Sequence, residues 1–292
     1  MDGRMDRIDL HTHSTASDGS MTPTELVRHA KASGLRAMAL SDHDTVDGVD
    51  KAMAAGRESG IEVIPAIELS AVSATETHIL GYFIDPHAPS LTSALDRIRA
   101  IRVERLTETC GMLRDHGIDV SMDEVRAIAG GGVLCRAHIA RIMTDKGYAA
   151  SPRDAFNRWL NVGCPCYSET QAITDEEAIS LIRSAGGDAY LAHLHLTKLP
   201  DDELDAFVTR LASAGLSGIE GYYTDYTADM AEKYRALAKK YGLAISGGTD
   251  FHGSFKPHIA IGRGLGNMEI PYTVLAEMKK RHNDTHTRRE NQ

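Results

Sequence analysis

His11 and His13, one residue apart at the end of the apolar run Ile8 to Leu10, are followed by a Ser/Gly turn that carries Asp18. In a strand, residues two apart project from the same face, so both imidazoles can hold one cation while Thr12 points away. A carboxylate beside imidazoles suits zinc, manganese or iron. His-x-His alone is a weak pattern that two ordinary strand histidines also satisfy. Further donors recur at the ends of apolar runs: His43, Glu68, His78, His193, Asp250 and His252. A lone histidine such as His78 at a strand start is usually structural, but nine such donors together point to a multinuclear metal site.

Regular elements must bring these donors to one rim. Thr22-Pro23-Thr24-Glu25 is a capping box with proline at the first helical position, and its helix runs to about Gly34. Arg36 to Ser41 reads as a strand ending in Asp42-His43-Asp44-Thr45, Val46 to Gly60 as a helix, and Ile61 to Leu69 as a strand containing Glu68. His78 to Asp85 reads as a fourth strand. This alternation predicts parallel βα units whose strand ends carry the chemistry.

From about Ser90 the periodicity turns helical: Leu91 to His116, a helix capped at Ser121, Arg136 to Lys146, and Ser151 to Leu160. The βα rhythm resumes at the capping box Thr174 to Glu177, followed by strands Asp188 to His193, Ser217 to Tyr222 and Leu243 to Gly248. The expected organisation is an α/β barrel in two parts, 1–89 and 173–292, interrupted by a helical insertion or cap at 90–172. Lys279 to Gln292, polar and mildly basic, reads as a frayed tail, with a nucleic-acid arm as the alternative.

A chain of 292 residues with 42% hydrophobic and 25% charged residues buries a large core. Its net charge of −9 supplies no long-range attraction for long nucleic acids, so a small phosphorylated substrate is the expected partner. Four unevenly spaced cysteines fit no disulfide framework and suit a reducing cytoplasm. No apolar leader or membrane-spanning stretch is evident. Cys164-Pro165-Cys166 lacks a second cysteine pair and reads as packing.

The motifs Asp9-Leu10-His11-Thr12-His13, Ser41 to Thr45, Glu68, His78, Ala192-His193 and Gly248 to His252 occur in the order of the polymerase and histidinol phosphatase (PHP) superfamily, which the chain resembles. Similarity to its insertion-bearing, stand-alone phosphoesterases extends to His78-Ile79-Leu80-Gly81, Arg136 to Ala140 and Gly186-Gly187. The resemblance implies a distorted (βα)7 TIM-like barrel with two or three divalent ions, manganese first and iron or zinc as alternatives. It implies that His11, His13, Glu68 and Asp250 hold one ion, that Glu68 also bridges to a second held with His78 and His193, and that Asp18, His43 and His252 hold a third. A carboxylate shared by two ions sets them about 3.5–4 Å apart and favours an acidified water between them. Glu68, Asp250 and His252 are the implied catalytic residues, and Arg136 with His138 the implied phosphate clamp.

Relatives acting on nucleotides or RNA 5′ ends continue the histidine motif as Ala-His-Pro-Gly-Arg-Tyr, whereas this chain has Ala192-His193-Leu194-His195-Leu196-Thr197. The ligand is kept and the arginine is not, although Lys198 stands nearby. Tyr222, Tyr223 and His195 are weaker candidates for the pocket mouth. The activity ranked first is opening of phosphoribosyl 1,2-cyclic phosphate followed by removal of the phosphate, leaving ribose 5-phosphate. The alternative is a 3′,5′-nucleoside bisphosphate phosphatase with 5′-to-3′ exonuclease activity, with histidinol phosphate third. A catalytically silent accessory module and an amide hydrolase are the readings from other classes; a silent module need not keep all nine donors.

Overall fold

The computed structural model describes residues 6–72, 76–168, 173–266 and 268–290. The chain opens with β1 (Arg7–Asp9), α1 (Pro23–Ala32), β2 (Ala37–Leu40), α2 (Val49–Ser59), β3 (Glu62–Val72) and β4 (Glu76–Tyr82). Helices α3 (Pro89–Asp115), α4 (Met122–Ala129), α5 (Arg136–Asp145) and the short α6 (Pro152–Ala155), continued by a π-helical turn, follow without an intervening strand. Then come α7 (Asp175–Ser184), β5 (Asp188–Leu191), α8 (Asp201–Ala214), β6 (Gly218–Tyr223), α9 (Ala228–Lys240), β7 (Ala244–Gly248), β8 (Ile270–Pro271) and α10 (Tyr272–Glu290).

Local chemistry explains several of these boundaries. Thr22, Ser121 and Thr174 each close a reciprocal capping box with Glu25, Glu124 and Glu177, which satisfies donors at the starts of α1, α4 and α7. Helix α2 stops at Gly60, whose φ of 65° only glycine adopts without strain.

The strands form one eight-stranded sheet in the order β7-β6-β5-β4-β3-β2-β1-β8. Its ends meet beyond β1 and β7, where Thr12 bridges Phe251 and the Leu10 N–H donates to the Gly247 carbonyl, so the sheet is a nearly closed barrel. Along β3, Ile64 and Ala66 share a face with Glu68 and pack with Ile8, Leu10, Leu80 and Tyr82. Ile67 and Leu69, on the other face, pack against Leu91, Ile179 and Ile182 of the surrounding helices. Glu68 therefore crowns the inward face of the barrel.

The insertion has a core of its own, including Leu106, Leu113, Val125, Ile139, Met143 and Leu160. Helix α3 serves both layers, since Leu91, Leu95 and Ile98 in its first half pack on the barrel.

Three elements differ from the sequence expectation. Strand β4 runs antiparallel to both β3 and β5, so the barrel is not uniformly parallel. That reversal puts the beginning of β4 at the rim formed by the ends of the other strands, which is why a histidine near a strand start reaches the site. Between β5 and β6, where the sequence reading names no element, stands α8, with an acidic first turn and buried Leu204, Phe207, Val208 and Leu211. The polar tail is helical to Glu290: buried Leu275 and Met278 anchor α10, and Arg281 caps the Gly242 carbonyl at 2.8 Å.

Candidate metal centre

Glu68 stands at the middle of a ring of imidazoles, with its two oxygens facing different sets. Oε2 lies 3.1 Å from His11 Nε2, 3.2 Å from His13 Nε2 and 3.2 Å from His43 Nδ1. Oε1 lies 2.8 Å from His78 Nδ1 and 3.0 Å from His193 Nε2. Asp250 Oδ1 is 3.6 Å from His11 Nε2, 3.2 Å from His13 Nε2 and 3.3 Å from His252 Nδ1. Asp18 completes the far side, 3.3 Å from His252 Nε2, 3.8 Å from His13 Nδ1 and 3.9 Å from His43 Nε2. All nine donors singled out in the sequence thus converge on one place. Among the described residues eight of the nine fall into three groups, His11, His13 and Asp250; His43, Glu68 and His78; and His13, Asp18, His43 and His252, while His193 joins through Glu68 Oε1 alone. His13 and His43 each enter two groups, so the sharing is wider than the sequence reading allotted.

The donor set fits divalent cations. Both ring nitrogens of His13, and Nδ1 of His43, are buried with no hydrogen-bond partner among the described residues. Buried ring nitrogens left unsatisfied are costly, and a cation that takes the place of the ring proton removes that cost. Burial by itself would raise the carboxyls, but the surrounding imidazoles and Lys256 hold all three well below their ordinary range. His43 and His252 do this for Asp18; His11, His43 and His78 for Glu68; and Lys256, His252 and His11 for Asp250. Anionic oxygens are therefore ready at neutral pH.

Burial alone would lower His13, but Asp250 and Glu68 overcome it and raise the imidazole from 6.5 to about 9. With no ion bound, that proton stabilises the fold fully below pH 6.5, and the contribution is lost as pH rises through about 9. An incoming ion must displace the proton, so affinity should climb with pH toward that value. Calorimetry of manganese binding at pH 7 in two buffers of different ionisation enthalpy is expected to show net proton release. A buffer-independent heat would contradict it.

Acceptors outside the ring set the tautomers of His11 and His252. Glu220, fully buried, lies 3.0 Å from His11 Nδ1 through Oε1, and its Oε2 accepts the backbone N–H of His193 at 2.7 Å. In the neutral ring the proton of His11 is thereby kept on Nδ1, leaving Nε2 as the lone pair that an ion between it, Glu68 and Asp250 would take. His252 donates from Nδ1 to the Asp250 carbonyl at 2.8 Å, which leaves Nε2 toward Asp18. The outer oxygen of Asp250 accepts from Tyr223 Oη at 2.9 Å and Lys256 Nζ at 2.6 Å. Asp9 accepts from the N–H groups of Thr249, Gly262 and His11 and ties the two ends of the barrel, while Asp42 holds Ser14 and Ser17 in the turn that presents Asp18. Sequence reasoning assigned none of these supporting roles to Asp9, Asp42, Glu220, Tyr223 or Lys256. Asp9 and Asp42 lay inside quoted motifs; Lys256 gave no local signal.

From the insertion, buried His138 accepts the Cys135 N–H at Nδ1, which puts the proton of the neutral ring on Nε2. Burial lowers this imidazole below its ordinary value. Arg136 is half-buried, donates to the Leu160 carbonyl at 3.0 Å and packs over Phe156 and Tyr167. Those described contacts lie within the cap. Cys166 is buried in the cap core, and Cys164 donates to the Asn157 carbonyl at 3.3 Å.

The model of the PHP domain matches residues 9–248. The chain belongs to the PHP domain family. A 5′-3′ exoribonuclease from Haemophilus influenzae is 35% identical over 84% of this chain and 90% of its own. A 3′,5′-nucleoside bisphosphate phosphatase from Chromobacterium violaceum is 34% identical over 91% and 92%. A phosphoribosyl 1,2-cyclic phosphate 1,2-diphosphodiesterase from Eggerthella lenta is 30% identical over 86% and 97%. Among solved structures, an amidohydrolase from Chromobacterium violaceum with bound sulfate and no metal superposes with a TM-score of 0.85 at 31% identity, covering 94% and 96%. A metal-dependent phosphoesterase from Bifidobacterium adolescentis gives 0.81 at 28% identity, covering 93% and 94%. This PHP chain is a metal-dependent phosphoesterase, and no helix among its described residues is long and apolar enough to cross a membrane.

Proposed function

We propose that this PHP enzyme hydrolyses small phosphate esters at a centre of two or three divalent ions held by His11, His13, Asp18, His43, Glu68, His78, His193, Asp250 and His252. The observation that carries the reading is Glu68, whose two oxygens face separate groups of imidazoles as a bridging carboxylate would. Bound ions, manganese first and iron or zinc as alternatives, would supply Lewis-acid stabilisation of phosphate charge and acidify a water. Glu220, Tyr223 and Lys256 keep His11 and Asp250 aimed at that centre. The segment 90–172 acts as a cap that limits water, with His138 offering its Nε2 proton to a phosphate oxygen and Arg136 adding positive charge. Free cysteines at 110, 135, 164 and 166 suit a reducing cytoplasm.

For Arg136→Ala a loss of about 2–4 kcal/mol in transition-state stabilisation is expected, the scale of one electrostatic donor, with metal content unchanged. Steady-state kinetics with elemental analysis checks it. Loss of metal in that variant would make Arg136 a support of the fold and remove it from the clamp.

The substrate ranked first is the cyclic sugar phosphate, opened as a diester and then cleaved as a monoester. Beyond His193 the chain turns through Leu194 to Thr197, locked by the Leu194 N–H donating to Tyr226 Oη at 2.8 Å. His195 packs against Tyr223 and Tyr226, and burial together with His193 lowers it to about 4. This lip is neutral where nucleotide-directed relatives carry arginine, which favours a compact sugar phosphate. Bisphosphonucleoside hydrolysis is the second reading, favoured by the higher identity to the relatives named for nucleotides and RNA. Comparing kcat/KM for the cyclic sugar phosphate and adenosine 3′,5′-bisphosphate decides between them. A hundredfold preference for the nucleotide, about 2.7 kcal/mol, would reverse the ranking and leave the phosphoesterase intact.

A further inference from the structure

Arg102, on α3, makes contacts that run from the cap to both sides of the candidate centre. Its Nε donates to Asp44 Oδ2 at 2.5 Å and its Nη2 to Ser70 Oγ at 2.7 Å. Nη1 donates to the Leu134 carbonyl at 3.3 Å and lies 3.6 Å from Cys135 Sγ. The arginine side chain is 16% exposed and that of Asp44 0%, so water barely screens the pair.

Each partner adjoins a residue of the site. Asp44 follows His43 with a φ of 48°; its N–H donates to the Glu68 carbonyl at 3.0 Å and its Oδ1 accepts the Ser70 N–H at 2.9 Å. Ser70 shares a face of β3 with Glu68 and is in register with His78. Leu134 and Cys135 lead directly into α5, where Arg136 and His138 stand.

We propose that Arg102 is a positioning residue of the hydrolytic site: its guanidinium fixes the His43–Asp44 turn against β3 and, through Leu134 and Cys135, sets where α5 presents His138 and Arg136. The proposal rests on the phosphoesterase reading. A planar fork can bond in three directions at once, whereas a lysine ammonium is a single point charge on a flexible stem. Without the fork, the left-handed Asp44 keeps a buried carboxylate with only part of its hydrogen bonding, and the turn bearing His43 has reason to relax.

The test compares the full-length wild type with Arg102→Gln, Arg102→Lys and Ser70→Ala, in manganese titrations of metal-stripped protein and in kinetics of the loaded enzyme. Arg102→Gln is expected to weaken the weakest manganese site about 10–100-fold and to lower kcat by a similar factor. Arg102→Lys should recover less than a tenth of the lost kcat, because charge alone does not restore the three-way bonding. Ser70→Ala, which removes one bond and leaves the ion pair, should weaken the same site about threefold and serves if the arginine variants fail to fold. Full recovery by lysine would overturn positioning in favour of simple charge. An unchanged manganese isotherm in Arg102→Gln, or in Ser70→Ala if the arginine variants do not fold, would also overturn it. If the wild type hydrolyses no phosphate ester, the functional reading falls, while the titration still reads the effect of Arg102 on metal binding.

Discussion

Asp250→Asn is expected to lower turnover by at least about 10³-fold, beyond the 10–100-fold typical of removing a partner that only supports a ligand. Oδ1 of Asp250 faces His11, His13 and His252, while Oδ2 is held by Tyr223 and Lys256. A neutral amide keeps the shape but surrenders the anionic oxygen that a divalent cation requires. The backbone should tolerate the change, since φ at this residue is 57°, a left-handed conformation that asparagine accepts more readily than most residues. Circular dichroism of the variant should therefore match the wild type. His43→Asn should behave alike. Near-normal activity in either would sink the metal assignment.

Glu68→Gln is expected to remove both activity and most of the bound metal, because among the described residues its carboxylate is the one that faces ring nitrogens of both His11 with His13 and His78 with His193. Its stability effect in the metal-free protein is separate and has a definite sign. His11, His43 and His78 hold the Glu68 carboxyl well below its ordinary 4.5 against the opposing effect of burial. The resulting stabilisation is present above pH 4.5 and is lost as pH falls through the lower folded value. At neutral pH the glutamine variant without metal should be less stable by about 3–5 kcal/mol, the scale of breaking a buried charged pair. Urea unfolding of the stripped proteins at pH 7 and at acid pH checks both parts. A variant as stable as the wild type at pH 7 would mean that the imidazoles do not depend on Glu68.

Most donors were legible because they follow short apolar strands at once: His11 and His13 lie just beyond β1, His43 beyond β2, His193 beyond β5 and Asp250 beyond β7. The helix starts were legible for a similar local reason, as with Thr22 and Glu25. Strand direction was not. Nothing local to Glu76–Tyr82 states that its neighbours run the other way, since the reversal is set by pairing of Glu68 with Leu80 and of Leu80 with Tyr190. The supports of the centre were hidden for the same reason: Asp9 meets Thr249 across 240 positions and Glu220 meets His11 across 209. Helix α10 was missed because its anchors, Leu275 and Met278, precede the polar stretch that dominates its composition.

The most direct measurement is the activity of metal-stripped protein toward a phosphodiester and its monoester product as manganese is added stepwise. Activity is expected to be absent at the start, to rise with added metal, and to saturate at two to three equivalents. The monoester should be consumed by the same protein under the same titration. Turnover that is independent of metal, or a protein that binds less than one equivalent and stays inactive, would contradict a multinuclear phosphoesterase built on Glu68.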